Sequence, residues 1–212
     1  MPPDRRNKPS PKSSARPPRP LRNPNNPRIV AGLGNPGSEY AATRHNLGFV
    51  VVDEVGRRLG IERWKTKDGA RQAYDAARRI VLVEPVTYMN NSGIPIRIIA
   101  SWYKTPPEEL LVVVDEMDIP FGQLRMRVSG GHAGHNGMRS VIATMGDAFP
   151  RIRIGVGRSE QGENIDFLLS DFSAAEREKL PEIVDAAASG VMLWLEDGPE
   201  RAMQFVNTAK IA

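Results

Sequence analysis

Two short stretches concentrate the side chains that could move protons. One runs from Gly32-Leu33-Gly34-Asn35-Pro36-Gly37 to Arg44-His45-Asn46, and the other is Ser129-Gly130-Gly131-His132-Ala133-Gly134-His135-Asn136-Gly137. Both follow apolar, β-like runs (Ile29 to Leu33, Leu124 to Val128), which puts their polar groups at sheet edges, where α/β folds carry their sites. A neutral imidazole can take a proton from water, and a carboxylate on its other nitrogen sets the tautomer and steadies the imidazolium that forms. His45 is the candidate base. Asp115, at the carboxyl end of the apolar run Leu110 to Val114, is the candidate orienter. Asparagine amides both donate and accept, so Asn35, Asn90 and Asn136 could hold a peptide backbone and stabilise a developing oxyanion. A loop histidine bonded to backbone and an aspartate in a turn are the ordinary alternatives; the company of three asparagines favours the catalytic reading.

Other chemistries find less support. The chain has no cysteine, which excludes thiol catalysis, cysteine-based zinc sites and disulfide frameworks, and fits a reducing, cytoplasmic setting. His132-x-x-His135 lies among glycines with no third ligand at a sensible spacing, so a turn holding backbone close to a ligand is expected and no metal. Gly32, Gly34 and Gly37 satisfy G-x-G-x-x-G after a strand. Pro36 removes an amide that a pyrophosphate would need, and Asp53 and Glu54 fall inside a helix and not at the end of a second strand. Ser92 and Ser129 lack a nucleophile elbow.

These residues need a scaffold. Arg28 to Leu33 reads as a buried strand and Leu47 to Leu59 as a helix with Leu47, Val51, Val55 and Leu59 on one stripe. Gln72 to Ala76 and Arg79 to Val83 read as strands, the second ended by Pro85. Ser92 to Lys104 reads as a helix from Ile94, Ile98 and Trp102 at spacing four, with Pro95 tolerated in its first turn. Leu110 to Val114 is a β-branched run of the doubly buried, parallel type. Gln123 to Val128 and Arg151 to Val156 alternate, with Arg125 and Arg127, then Arg151 and Arg153, on one side of each strand. Ser173-Ala174-Ala175-Glu176 opens a C-terminal helix with a capping box, Pro181 kinks or restarts it, and Pro199 to Thr208 forms a last helix. The expected fold is a single α/β domain with a twisted mixed sheet flanked by helices.

The formal charge of +4 divides unevenly. Residues 1 to 27 hold seven basic side chains against Asp4, a net of +6, which leaves −2 for residues 28 to 212. The same segment carries nine of the eighteen prolines and few large apolar side chains, so it reads as a disordered basic extension: inert, an RNA anchor or a targeting segment. No apolar stretch reaches the length of a membrane span.

Four motifs, in order, carry a resemblance: Gly-Leu-Gly-Asn-Pro-Gly-x-x-Tyr-x-x-Thr-Arg-His-Asn (Gly32 to Asn46), Tyr-Met-Asn-x-Ser-Gly (Tyr88 to Gly93), Val-Asp-Glu-x-Asp-Ile-Pro-x-Gly (Val114 to Gly122) and Gly-Gly-His-x-Gly-His-Asn-Gly (Gly130 to Gly137). In that order and spacing they resemble the bacterial-type peptidyl-tRNA hydrolases, over about Arg28 to Asn207. The resemblance implies hydrolysis of the ester joining a peptide to the terminal ribose of tRNA, without cofactor, by a cytoplasmic monomer that needs no protein partner. It implies His45 as base, Asp115 as its acid partner and Asn35 as a catalytic asparagine. It further implies Tyr40, Asn46, Met89, Asn90 and Asn136 around the substrate, with Arg127 and Arg153 contacting tRNA phosphate. An RNA-binding adaptor with the fold but not the chemistry is the rival from another class, and a nucleotide-dependent oxidoreductase a second; intact His45 and Asp115 favour the enzyme.

Overall fold

The computed structural model describes residues 26–158 and 164–211. Its strands are β1 (Arg28–Gly32), β2 (Lys65–Lys67), β3 (Ala70–Asp75), β4 (Ile80–Pro85), β5 (Leu110–Glu116), β6 (Leu124–Arg127) and β7 (Arg151–Gly155). They form one mixed sheet in the order β2-β3-β4-β1-β5-β7-β6. β4, β1, β5 and β7 run parallel, and antiparallel strands close both flanks. The helices are α1 (Leu47–Leu59), α2 (Gly93–Tyr103), α3 (Asn136–Met145), α4 (Asn164–Leu168), α5 (Ala174–Asp197) and α6 (Pro199–Thr208). The short strand β2 and helix α4 carry no periodicity that would announce them.

Strand alternation sorts the core into two layers. Val30, Leu82, Leu111, Val113 and Ile152 meet α1, α5 and α6 on one face, through Leu47, Val51, Val55, Trp194 and Val206. Ile29, Ala31, Val83, Val112 and Val114 meet α2 and α3 on the other, through Ile96, Ile99, Met138 and Val141. All seven residues of β5 are buried, as a β-branched run without polar alternation requires. The chain leaves β1 for α1 on the first face and β4 for α2 on the second, so a crevice opens at the carboxyl ends of the central strands.

Helix α2 turns a different side inward from the one its spacing-four set suggests. Ile94, Ile98 and Trp102 are 52%, 47% and 77% exposed, while Pro95, Ile96, Ile99 and Ala100 are buried. The reason lies at Gly93, where an added Cβ would strike the Ser140 carbonyl of α3. That close approach directs Gly93, Ile96 and Ala100 into the core. At the C-terminus the Ser173–Glu176 capping box forms and α5 runs unbroken through Pro181. Pro181 and Arg177 are both exposed, so the carbonyl left without an i+4 donor can meet water.

The basic extension lies outside the described residues except for Asn26 and Pro27. Asn26 Nδ2 donates to the Lys104 carbonyl at 2.7 Å and the Pro27 carbonyl accepts from Thr105 Oγ1 at 2.9 Å, which pins the entry to β1 against the end of α2. No helix among the described residues is long and apolar enough to cross a membrane.

One buried carboxyl outside the His45–Asp115 pair gives the fold a pH dependence. Burial pushes Glu84 on β4 up to about 7; the Arg71 guanidinium opposes the shift and Asp53 adds to it. One oxygen of Glu84 takes Arg71 Nη1 at 2.5 Å, and the other is buried without a hydrogen-bond partner. The folded protein therefore holds a proton that an unfolded glutamate releases near 4.5. The associated stability is complete below that value and is lost as pH rises through about 7. Glu84→Gln stays neutral throughout. From pH 5 to pH 8 its melting temperature should gain about 5 °C on the parent's, from a linkage on the order of 2 kcal/mol. Parallel melting curves would mean that Arg71 keeps Glu84 ionised.

Candidate active site

Close backbone packing brings His45 to Asp115. A Cβ on Gly32 would strike the Gly48 carbonyl, and a Cβ on Gly48 would strike the Leu33 backbone and the Val113 carbonyl. The first turn of α1 thus lies directly on the ends of β1 and β5. Gly32, which sequence placed in a G-x-G-x-x-G pattern, serves this helix–strand contact. His45 sits in the 3-10 turn Arg44–Asn46 just before α1, and all three residues of that turn are buried. Arg44 ties the turn to the C-terminal helices: Nη1 donates to Ser170 Oγ at 2.8 Å and Nη2 to Glu176 Oε2 at 2.6 Å. Nothing periodic in the sequence marks Arg44 for this role.

His45 Nδ1 lies 3.0 and 3.1 Å from the two oxygens of Asp115, whose side chain is 1% exposed. A second imidazole reaches the same carboxylate, with His135 Nε2 3.1 Å from Oδ1. Burial alone would raise the Asp115 carboxyl, but the His45 and His135 imidazoles outweigh it and hold the group well below the usual carboxylate range. Tautomers follow from the partners. His135 caps α3, its Nδ1 accepting the Met138 N–H at 3.2 Å, so the ring hydrogen is on Nε2 and is donated to Asp115. An ionised Asp115 likewise requires a hydrogen on His45 Nδ1, which leaves His45 Nε2 with its lone pair. The two rings lie 4.8 Å apart.

The asparagines join these groups in a closed circuit. The Asn35 N–H donates to Asn46 Oδ1 and Asn46 Nδ2 donates back to the Asn35 carbonyl, both at 2.9 Å. Asn46 therefore braces the first loop. Asn35 Oδ1 accepts the Met89 N–H at 2.9 Å, so its amide N–H donors are the part left for a substrate. Met89 is buried, and a Cβ on Gly137 would lie 2.5 Å from its sulfur. Gly137 follows His135 and Asn136, which closes the ring. Asn136 is exposed at the first position of α3, its Oδ1 accepting from Arg139 Nη1 at 3.1 Å, and Asn90 is exposed in the 3-10 turn Met89–Asn91. Tyr40 stands half-buried in the 3-10 turn Ser38–Tyr40, its carbonyl accepting Thr43 Oγ1–H at 2.8 Å.

His135 is the residue that sequence reasoning missed. The turn expected around His132 does form, with His132 Nδ1 accepting the Gly134 N–H at 3.0 Å and its carbonyl accepting the His135 N–H at 2.8 Å. His135 does more, and its position directly before a helix was the available signal. Nitrogen and oxygen atoms of His45, Asp115 and His135 lie within 4.8 Å of one another, a donor set that zinc accepts. Protons account for the geometry better. His135 Nε2 already carries a hydrogen and has no lone pair to give a metal.

The arginines divide. Register places Arg125 opposite Arg153 and Arg127 opposite Arg151 on one side of β6 and β7. Arg127 is exposed, whereas Arg153 is partly covered and donates through Nη1 to Glu116 Oε2 at 3.3 Å. Arg151, expected on the same side of its strand as Arg153, is 2% exposed under the glycine loop and donates to the carbonyls of Gly130, Gly131, Asp147 and Phe149. Burial lowers its guanidinium to about 10, Asp147 opposing and Arg153 and Arg127 adding to the shift, so it stays charged at neutral pH.

Fold and crevice together define a single-domain α/β protein with an imidazole–carboxylate pair at the carboxyl ends of its parallel strands. The model of the family described as peptidyl-tRNA hydrolase matches residues 29–212. The chain belongs to the peptidyl-tRNA hydrolase family. It is 44% identical to the peptidyl-tRNA hydrolase of Synechococcus sp. (strain JA-3-3Ab), over 85% of this chain and 82% of that one. It is 41% identical to that of Syntrophomonas wolfei, over 85% of this chain and all of the relative. The crystal structure of the Acinetobacter baumannii peptidyl-tRNA hydrolase superposes with a TM-score of 0.83 at 33% identity, covering 91% of this chain and 100% of that one.

Proposed function

We propose that this protein hydrolyses the ester of peptidyl-tRNA by water attack, with His45 Nε2 as the general base. The observation that carries the reading is the contact of both Asp115 oxygens with His45 Nδ1, at 3.0 and 3.1 Å, from which the tautomer follows. Water gives a proton to Nε2 and its oxygen bonds to the ester carbonyl carbon. The carbonyl electrons move onto oxygen, where the Asn35 amide N–H can meet them. Collapse expels the ribose oxygen, which takes the proton back from the imidazolium, giving free peptide acid and tRNA. Asp115 remains ionised throughout. Asn90 and Asn136 present amides to the peptide, and Met89 and Tyr40 line its path. The protein acts as a cytoplasmic monomer with no obligatory partner.

Arg127 carries the larger part of tRNA phosphate contact, because Arg153 already serves Glu116. Release of N-acetyl amino acid from charged tRNA, followed in EDTA, tests the reaction directly and should proceed at the rate seen without chelator. In the same preparation Arg127→Ala should lower the slope of log affinity for tRNA against log salt by about 1. Tight tRNA binding with no release would establish an adaptor. Release that EDTA abolishes would establish a metal-dependent reaction.

A further inference from the structure

The flank of the sheet farthest from Arg127 carries a second cleft, of about 390 Å³, that the hydrolytic site does not use. Register sets Lys65 opposite Gln72 and Lys67 opposite Ala70, and period-two geometry puts both lysines on the α2 side of the sheet, the side that Gln72 and Tyr74 of β3 also face. Helix α2 supplies the facing wall with Trp102 and Tyr103, and Arg63 stands at its end. Trp102 is 77% exposed and Tyr74 is 48% exposed. The Tyr74 and Tyr103 rings lie 5.3 Å apart, and Lys67 Nζ is 5.5 Å from the Trp102 ring. Lys67 also lies 3.6 Å from Asp68, while Arg63 and Lys65 make no ion pair among the described residues.

Lysines on an edge strand ordinarily discourage pairing with another chain. That role accounts for β2 but not for exposed aromatic rings gathered opposite it. Cations alternating with accessible rings around a nucleotide-sized volume match single-stranded nucleic acid, whose phosphates seek the cations and whose bases stack on the rings. We propose that this cleft binds a single-stranded RNA segment, a base stacking on Trp102 with phosphates held by Arg63, Lys65 and Lys67. Five strand spacings separate β3 from β6, about 24 Å, so the phosphate at Arg127 is not the one bound here.

Tryptophan emission reads this site selectively, because Trp194 is fully buried and Trp64 lies half-buried under the Arg71 guanidinium, 3.9 Å from its ring. Titration of the full chain with an eight-residue oligoadenylate should quench emission saturably, and Trp102→Phe should abolish the quench. Lys65→Ala/Lys67→Ala should weaken binding about tenfold and lower the salt slope by about 1.4, the share of two phosphates on a single strand. No quench in the parent, an unchanged quench in Trp102→Phe, or parental affinity and salt slope in the double variant would each overturn the assignment. The probe has no ester, so this outcome is independent of hydrolysis of charged tRNA.

Discussion

His45→Ala is expected to lower the rate of ester cleavage by roughly 10²- to 10⁴-fold while leaving tRNA affinity within about twofold of the parent's. On the proposed mechanism the imidazole acts only when water is deprotonated, so its loss belongs to kcat and not to binding. Folding should survive the change. Asp115, fully buried between two rings, keeps the hydrogen from His135 Nε2 when His45 is removed and is not left as an orphaned charge. Arg44 and Asn46 hold the turn on either side of position 45 through Ser170, Glu176 and the Asn35 backbone, so the loop retains its path. Single-turnover release of N-acetyl amino acid, beside tRNA binding and a melting curve, separates the terms. Equal rates for the two proteins would remove His45 from the base role.

Which side of a helix turns inward was legible in the sequence where one face is apolar and not where two are. In α1 the apolar stripe Leu47, Val51, Val55 and Leu59 has polar residues opposite, so period and burial agree. In α2 both Ile94-Ile98-Trp102 and Pro95-Ile96-Ile99-Ala100 are apolar. Which set faces inward depends on α3 docking at Gly93, a contact between residues 47 positions apart. The alternation of β7 was equally plain, yet the burial of Arg151 comes from the glycine loop that folds over it. His45 and Asp115 could be paired because the loop that carries His45 follows one apolar strand and Asp115 ends another, which puts both at the same edge of an α/β sheet. His135 offered only its place directly before a helix: its contact with Asp115 depends on where α3 begins relative to β5, which that local signal does not encode.

The shared carboxylate makes Asp115→Asn the more damaging of the two substitutions for its size, with an expected loss of roughly 10³- to 10⁴-fold in kcat. Two ring hydrogens point at Asp115, those on His45 Nδ1 and His135 Nε2, and Oδ1 lies within 3.1 Å of both. An asparagine has one acceptor oxygen. His135 cannot change tautomer without losing the Met138 N–H from Nδ1 and uncapping α3, so it claims that oxygen. The asparagine NH₂ then faces His45 Nδ1, which can accept it only by moving its hydrogen to Nε2. The lone pair needed to deprotonate water is thereby lost although no atom at the water position has changed. Nitrogen chemical shifts of the His45 ring would show the hydrogen on Nε2 in the variant and on Nδ1 in the parent, beside the drop in release. The double variant Asp115→Asn/His135→Ala frees the asparagine oxygen for His45 and should recover part of the activity. A rate at or below that of Asp115→Asn alone would show that the two imidazoles do not compete for the same oxygen.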